Sequence, residues 1–239
     1  LIDLESAEVS LRQGQSKVSG ALRIAASVGF GRLCLMPLLK GFMDEHPQLK
    51  IDLRLHDEFV DLVEQGIDAA IRIGHLDDSG LIAKRIGYST RRLLVHPEYL
   101  RQYALHAKLP EHPDDLVHMN CIVYTGSSFK QSWRFSGAQV RQGGSPQPLT
   151  VRVEGNIQTN SSEVIRQAVL LGMGVAYCPD WLLAEEIKAG QVCEILPGWS
   201  EPPSPIWFVY PPQRKDPLKV RVLGDFLQAR YSALLLPSQ

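Results

Sequence analysis

Hydrophobic positions in the first third of the chain alternate between two spacings. Short apolar runs at residues 22–26, 49–57 and 69–74 predict β-strands, and apolar residues three or four positions apart over residues 31–45 and 58–66 predict helices. Strands that alternate with helices are typical of a mostly parallel sheet covered by helices on both faces. The first part of the chain is therefore predicted to be an α/β unit.

The second half of the chain repeats this order of elements. An apolar run at residues 120–126 predicts a strand, and the segments around a Gly/Pro-rich turn at residues 143–148 predict a hairpin. A helix is predicted to begin at Asn160, with Glu163 as its capping-box partner, and a strand follows at residues 174–179. Each half therefore contains a strand that runs into a polar helix start.

The helix start of the first half, at Ser27, raises the question of what it binds. Gly29 and Gly31 follow it, but a dinucleotide fingerprint needs a third glycine where this sequence has Cys34. Any helix start favours negative charge because its first N–H groups have no partner within the helix. Two interpretations stay open here: an anion site, or an ordinary N-cap at Ser27 without a ligand.

The order of elements also predicts two lobes. The last strand and the long final helix are similar in pattern to the first half, so the chain is expected to cross to a second lobe near residue 96 and return near residue 204. Residues 20–96 and 205–239 would then form subdomain I, residues 97–204 subdomain II, and residues 1–19 the end of a linker helix with its linker. A cleft between two such lobes suits a small ligand.

Composition and charge restrict the possible partners. The 239 residues carry a formal net charge of −1, so we expect no basic field for nucleic acid, and any DNA-reading part would lie outside this chain. No stretch approaches the roughly 20 apolar residues of a membrane span, and no signal peptide precedes the first strand. The four cysteines form no C-x-x-C pair, which favours reduced thiols in a cytoplasmic protein. We expect no metal and no cofactor.

Motifs of catalysis are missing from the sequence as well. There is no G-x-S-x-G elbow, no H-E-x-x-H helix and no phosphate-binding P-loop. The adjacent Glu185 and Glu186 fit an exposed helix face, and Cys34 has the apolar neighbours of a core residue. The sequence therefore predicts a protein that is not an enzyme.

Three runs of the chain resemble a known family. They are LRIAASVGFG at residues 22–31, DLVEQGIDAAIRIG at 61–74 and AVLLGMGVAY at 168–177, and together they resemble the effector-binding domain of LysR-type transcriptional regulators. The resemblance extends from about residue 20 to residue 232. It implies an α/β fold of two Rossmann-like subdomains joined by two crossover segments, similar to type 2 periplasmic binding proteins, with the effector between them.

The resemblance also implies an effector pocket built from the turns that follow the strands and from the second helix start. Two helix starts, a hydroxyl on each side and a guanidinium would hold a small carboxylate, and apolar side chains would cover its body. The implied effector-binding residues are Ser27, Val28, Gly29, Phe30, Arg72, Gly74, Thr125, Gly126, Asn160, Ser161 and Ile206.

Simple structural roles are open for several of these positions. Arg72 could lie on the outward face of its strand and pair with an aspartate, and Asn160 could be a plain helix cap. Arg91 and Arg92 are predicted to be solvated surface charges, and the four tryptophans are predicted to serve packing.

The implied function is ligand sensing for a DNA-binding winged helix-turn-helix that lies outside this chain. Members of the family pair into homodimers or homotetramers, and the helix at 31–45 would pack against the 58–66 region of a neighbouring copy. The alternative function is that of an exported solute-binding protein with the same two-lobed fold, which would need an export signal. An enzyme on such a fold would need a nucleophile or an acid–base pair in the cleft.

Overall fold

The protein was analysed as a computed structural model, which describes residues 18–58, 60–76, 80–126, 131–137, 148–212 and 217–234. The strands are β1 (Gly20–Ala26), β2 (Leu49–Leu55), β3 (Ala69–Ile73), β4 (Ile82–Ser89), β5 (Arg91–Val95), β6 (Cys121–Tyr124), β7 (Ser132–Gly137), β8 (Leu149–Arg152), β9 (Ile157–Thr159), β10 (Val175–Pro179), β11 (Cys193–Glu194), β12 (Trp199–Ser200) and β13 (Ser204–Tyr210). The α-helices are α1 (Val28–Phe30), α2 (Met36–Glu45), α3 (Pro97–Ala104), α4 (Ser162–Leu170), α5 (Ala184–Lys188) and α6 (Pro217–Leu234). The predicted linker helix at residues 1–13 lies outside the described residues.

The first of two five-stranded sheets has the strand order β2-β1-β3-β13-β4. Strand β1 pairs in parallel with β2 and β3, whereas β13 is antiparallel to both β3 and β4. The sheet is therefore mixed, where the alternating pattern predicted a mostly parallel one. Its apolar face packs on α2 and α6 around Phe42, Phe208 and Leu223.

The second sheet has the order β11-β5-β10-β6-β9. Three further strands of the same part of the chain form a small antiparallel sheet of order β12-β7-β8. Strand β6 is parallel to β9 and β10, and β5 is antiparallel to β10 and β11. The hairpin predicted around the Gly/Pro-rich turn is present as β7 and β8, although the turn itself lies outside the described residues.

The chain passes from the first sheet to the second at Thr90, because β4 ends at Ser89 and β5 begins at Arg91. The sequence pattern put this crossing near residue 96 and so assigned β5 to the first lobe. The change in sequence pattern at residue 96 is the start of α3 at Pro97. This helix start marks the end of β5 and not the end of the first lobe. The chain returns to the first sheet at β13, close to the predicted position.

Two local predictions differ from the structure. Residues 62–66 form turns where a helix was predicted, because Asp61 accepts hydrogen bonds from the N–H groups of Val63 and Glu64 and Gly66 has a positive φ. The helix that begins at Val28 contains a π-helical stretch over Gly31–Leu35, directly before Pro37. Since proline has no N–H to donate, this irregular entry fits the bend or late start that Pro37 predicts.

Trp181 connects the apolar clusters of the two lobes. Its side chain packs against the cluster on the first sheet and also against the cluster beneath α4 in the second. Its ring meets Phe30 edge to face at 5.4 Å between centroids, and its Nε1 donates to the hydroxyl of Ser89 at 3.0 Å. The residue therefore joins the second lobe to the end of the strand that precedes the first crossing.

All four cysteine thiols are free, as the sequence predicts. None of the helices within the described ranges has the length and hydropathy to cross a bilayer.

Candidate ligand-binding cleft

A cavity of about 1220 Å³ lies between the two sheets. The end of β1, β3 and the loop after β2 line one side, and β5, β6, β10 and the start of α4 line the other. Clefts at the carboxyl ends of parallel strands are the usual ligand sites of α/β proteins. This cavity is therefore the candidate functional site.

The first helix start is closed by a carboxylate of the chain itself. Ser27 has the extended backbone of an N-cap residue, but its side chain makes no capping hydrogen bond. The N–H of Val28 instead donates to Oδ1 of Asp57 at 3.0 Å. Because Asp57 holds the position an anion would take, this helix start does not match the open anion site that the sequence predicts. Ser27 itself lines the cavity.

The second helix start has no such carboxylate. Ser161, not Asn160, is the N-cap residue, and its side chain makes no capping hydrogen bond. Glu163, the predicted capping-box partner, instead binds the guanidinium of Arg32. Asn160 and Ser162 line the cavity, whereas Ser161 does not. The predicted capping box is therefore wrong, and the next serine along the chain occupies the place expected for Ser161.

The two helix starts pack against each other at one side of the cleft. A Cβ on the buried Gly29 would lie 2.7 Å from Oγ of Ser162 and 3.3 Å from Leu182, so any larger residue would force one of these side chains to move. Next to it, Nη2 of Arg32 lies 2.7 Å from the carboxylate of Glu163 across the same boundary. Gly29 thus supports contact between the lobes and is not a lining residue of the cavity.

Arg72 lines the cleft but is held by its own lobe. Its Nη2 donates to the carbonyl of Val60 at 3.3 Å. Burial lowers the pKa of its guanidinium, and the nearby carboxylate of Asp61 partly opposes that effect. The alternative that Arg72 faces outward in its sheet is wrong, because the side chain is half-buried at the cavity wall.

Arg91 is the charged group that the sequence assigned to the surface and that the structure places in the cleft. Its guanidinium lies over the ring of Tyr177, 5.8 Å from the centroid, and it has no carboxylate within ion-pair distance among the described residues. Its neighbour Arg92 binds Glu194 at 2.7 Å and Asp180 at 3.6 Å. Adjacent residues on a strand point to opposite faces, which is why one arginine is paired outside and the other enters the cleft.

Two tyrosines from the second sheet give the cleft hydroxyl groups. Burial raises the pKa of Tyr177 to about 12, and its oxygen accepts a hydrogen bond from the N–H of Glu201 at 2.8 Å. Burial is also the main cause of the raised pKa of Tyr124; the Asp57 carboxylate raises it further and the Arg91 guanidinium lowers it. Both tyrosines therefore stay protonated at neutral pH. The hydroxyl of Tyr177 donates to the carbonyl of Arg134 at 3.4 Å, so the hydroxyl that can donate to a ligand is that of Tyr124.

The remaining predicted positions differ in whether they line the cavity. Gly74, Thr125 and Gly126 line the cavity at the ends of β3 and β6, and the carbonyl of Gly74 accepts from the indole N–H of Trp207 at 3.0 Å. Phe30 and Ile206, expected to cover a ligand, are 1% and 0% exposed within the core of the first lobe and do not line the cavity. Val28 contributes its backbone N–H to Asp57 and no lining surface.

The predictions that Phe30 and Ile206 line the effector pocket are wrong for the same reason. Both lie within apolar segments, and hydrophobicity alone does not distinguish a core position from a pocket wall. The apolar surface of the cleft instead includes the aromatic rings of Trp181, Tyr124 and Tyr177 and aliphatic side chains from both lobes, among them Ile71 and Ile122. The sequence offered no signal for Asp57, because the residue follows its strand in the manner of an ordinary turn aspartate.

The cleft contains one thiol, Cys178, and it is not suited to nucleophilic chemistry. Burial raises its pKa to about 12, so it is protonated at neutral pH. Burial together with the Asp180 carboxylate raises the pKa of Cys34 to about 12 in the same way. Among residues that the structure describes, no three His, Cys, Asp or Glu side chains are placed to hold a metal ion.

Two α/β units joined by two connections, with a cavity lined by polar and aromatic side chains between them, define a two-lobed ligand-binding domain. The profile of the LysR substrate binding domain matches residues 15–232. The chain belongs to this family, and it is the effector-binding domain of a LysR-type transcriptional regulator.

Relatives at about one-third identity are regulators as well. The chain is 32% identical over 213 residues to the HTH-type transcriptional regulator DmlR of Escherichia coli, covering 89% of this chain and 66% of that protein. It is 32% identical to PtxR of Pseudomonas aeruginosa over 228 residues, covering 95% of this chain and 69% of PtxR. The chain thus spans about two-thirds of the length of these relatives.

Solved regulatory domains have the same fold. That of CrgA, a LysR-type regulator from Neisseria meningitidis, superposes with a TM-score of 0.77 at 27% identity, covering 89% of this chain and 99% of that one. The regulatory domain of AphB from Vibrio vulnificus superposes with a TM-score of 0.70 at 27% identity, covering 88% and 100%. These likenesses favour the regulator over the exported solute-binding protein.

Proposed function

We propose that this domain binds a small metabolite carrying a carboxylate in the cleft, with Arg91 as the counter-ion. The observation that supports this is an arginine in a ligand-sized cavity with no carboxylate partner among the described residues. A guanidinium binds carboxylates through two parallel hydrogen bonds, so it supplies both attraction and orientation. Asn160 and Thr125 would add neutral hydrogen-bonding groups from the same wall.

This proposal moves the anion site from the first helix start to the second lobe. Asp57 already binds the N–H of Val28, and a second carboxylate beside it would be repelled. Ser27 would contribute a hydroxyl to the ligand, and Arg72 would shape the wall from its position on the Val60 carbonyl.

The proposal is tested by measuring how a carboxylate and its uncharged amide bind to variants of Arg91 and of its neighbour Arg92. Thermal-shift and calorimetric titrations would compare 3-phenylpropanoate with 3-phenylpropanamide on the unmodified chain, on Arg91→Gln and on Arg92→Gln. We expect the carboxylate to bind more tightly than the amide, and Arg91→Gln to weaken it about ten- to a hundredfold, as loss of a charge-assisted pair would. Arg92→Gln should leave it unchanged. Equal binding of acid and amide, or equal effects of the two variants, would contradict the proposal.

We further propose that effector binding changes the angle between a subdomain I of residues 18–89 and 204–234 and a subdomain II of residues 91–203. In a two-lobed protein, a ligand that contacts both walls favours the lobe orientation in which both contacts are made. DNA would be bound by a part of the regulator outside this chain, which is consistent with the net charge of −1. We assign no catalysis to the domain, and we place the regulator in the cytoplasm.

We also propose that the regulator assembles as a homodimer or homotetramer through the outer face of α2. Met36 and Met43 are 50% and 36% exposed, and their spacing of seven residues puts both on one face of this helix. Leu39 of the same helix belongs to the core, and Leu33 packs toward the second lobe. Light scattering of the full regulator and of its Met36→Glu variant would test this surface; an unchanged mass would contradict it.

A further inference from the structure

The cleft presents a carboxylate on one wall and a guanidinium on the other. Asp57 follows β2 in the first lobe, and Arg91 begins β5 in the second. Both charges act on one group, the hydroxyl of Tyr124, whose pKa Asp57 raises and Arg91 lowers. Both residues line the same cavity, so one occupant can meet both charged groups.

The two charges do not neutralise each other. They are not within ion-pair distance, and each has unused hydrogen-bonding capacity. Asp57 uses Oδ1 for the N–H of Val28, and its other oxygen has no hydrogen bond to a described residue. Arg91 contacts the face of Tyr177, which occupies none of its N–H donors. Both charged groups are therefore available to an occupant of the space between them.

A ligand with one charge would leave the other wall uncompensated. When a cleft closes on its ligand, each charged wall group loses water, and an ionised group without a partner is costly to bury. A carboxylate alone would pair with Arg91 but leave Asp57 desolvated, and an amine alone would do the reverse. A dianion would face Asp57 together with Glu201 and Glu58, which also line the cavity. The second lining guanidinium, that of Arg72, lies on the same wall as Asp57 and already donates to the carbonyl of Val60.

We infer that the effector is a zwitterion that carries a primary amine as well as a carboxylate. Its ammonium group binds Asp57 and its carboxylate binds Arg91, while Tyr124, Tyr177 and Trp181 contact the apolar part. The inference rests on the proposed function, since it uses the same cavity and the same arginine, and it adds the second charge and the residue that reads it.

Asp57 is suited to this test because a conservative change preserves its structural contact. In Asp57→Asn, the side-chain carbonyl still accepts from the N–H of Val28, so the helix start stays capped while the negative charge is removed. Asp44→Asn is the matched control: it removes a carboxylate on α2 that pairs with Lys40 in solvent, away from the cavity lining.

The experiment compares two sets of probes of equal shape by calorimetric titration. One set is phenylalanine, 3-phenylpropanoate and 2-phenylethylamine; the other, with the charges further apart, is 6-aminohexanoate, hexanoate and hexylamine. We expect the zwitterion of at least one set to bind ten times more tightly than either single-charge counterpart. Asp57→Asn should remove that preference without weakening the carboxylate, Arg91→Gln should weaken the zwitterion and the carboxylate alike, and Asp44→Asn should change nothing.

Other outcomes separate this inference from the proposed function. Carboxylates that bind as tightly as the zwitterions, with dependence on Arg91 but not on Asp57, would overturn the zwitterion and leave the carboxylate proposal standing. Amines that bind as tightly as the zwitterions without dependence on Arg91, or a complete lack of binding in both sets, would overturn both.

Discussion

The two helix starts that meet at the cleft occupy equivalent places in their lobes but have different chemistry. At Val28 the free N–H is bound by Asp57, a residue of another loop. At the second start the side chain of the N-cap residue Ser161 makes no capping hydrogen bond, and the acidic residue of the first turn, Glu163, binds Arg32. The first start is therefore capped by a carboxylate from elsewhere in the fold, whereas the second has no side-chain cap.

This difference shows how one architecture can present unlike walls to a ligand. The polar groups of the first wall have internal partners, as with Asp57 and Arg72, so their positions are fixed before any ligand arrives. The second wall supplies a guanidinium whose described contact is an aromatic face. Polar groups held in fixed positions on the first wall, with hydrogen-bonding capacity left on both Asp57 and Arg91, favour selective binding at low entropic cost.

The contact between the helix starts gives the largest expected change in stability. In Gly29→Ala the new methyl must displace Ser162 or Leu182, which overpacks the junction. We expect a free energy of unfolding about 2 kcal/mol lower than that of Gly41→Ala, whose added methyl meets Phe226 at an ordinary 3.6 Å. Urea denaturation of both variants measures the difference. Equal stability would mean that the two starts can separate without cost.

Substitution of Asp57 and of the N-cap residue Ser161 tests the difference between the two helix starts directly. Asp57→Ala leaves the N–H of Val28 without its partner and should cost about 1 kcal/mol, whereas Asp57→Asn should restore most of that loss. Ser161→Ala should cost much less, because the Ser161 side chain makes no capping bond. Thermal unfolding of the three variants provides the measurement, and an equal loss at both starts would contradict the asymmetry.

The ion pair across the lobes should have the smallest effect. Arg32 and Glu163 are partly solvated, with side-chain exposures of 47% and 30%, so Arg32→Gln should lower the free energy of unfolding by less than about 1 kcal/mol. The loss should disappear in about 1 M salt, which screens exposed charges. Chemical denaturation at low and high salt would show this, and a loss independent of salt would point to packing by the arginine stem instead.

The alternation of strand and helix signals was enough to predict two α/β lobes, a crossing out and back, and a cleft between them. These features follow from local pattern, because the spacing of apolar residues within a short stretch of chain distinguishes a strand from a helix. The position of the first crossing could not be predicted from the sequence pattern. Only Thr90 separates β4 from β5, and nothing in the neighbouring residues shows that the two strands pair with different sheets.

The chain by itself determined the family resemblance, the free thiols and the presence of polar groups at the ends of strands. Only the tertiary structure decided which of those groups reach the cavity. It placed Arg91 inside and Arg92 outside, buried Phe30 and Ile206 in the core, and brought Asp57 to a helix start 29 residues earlier in the chain. The physical reason is that side-chain direction, burial and long-range hydrogen bonds depend on how elements pack, and residues distant in sequence supply the partners.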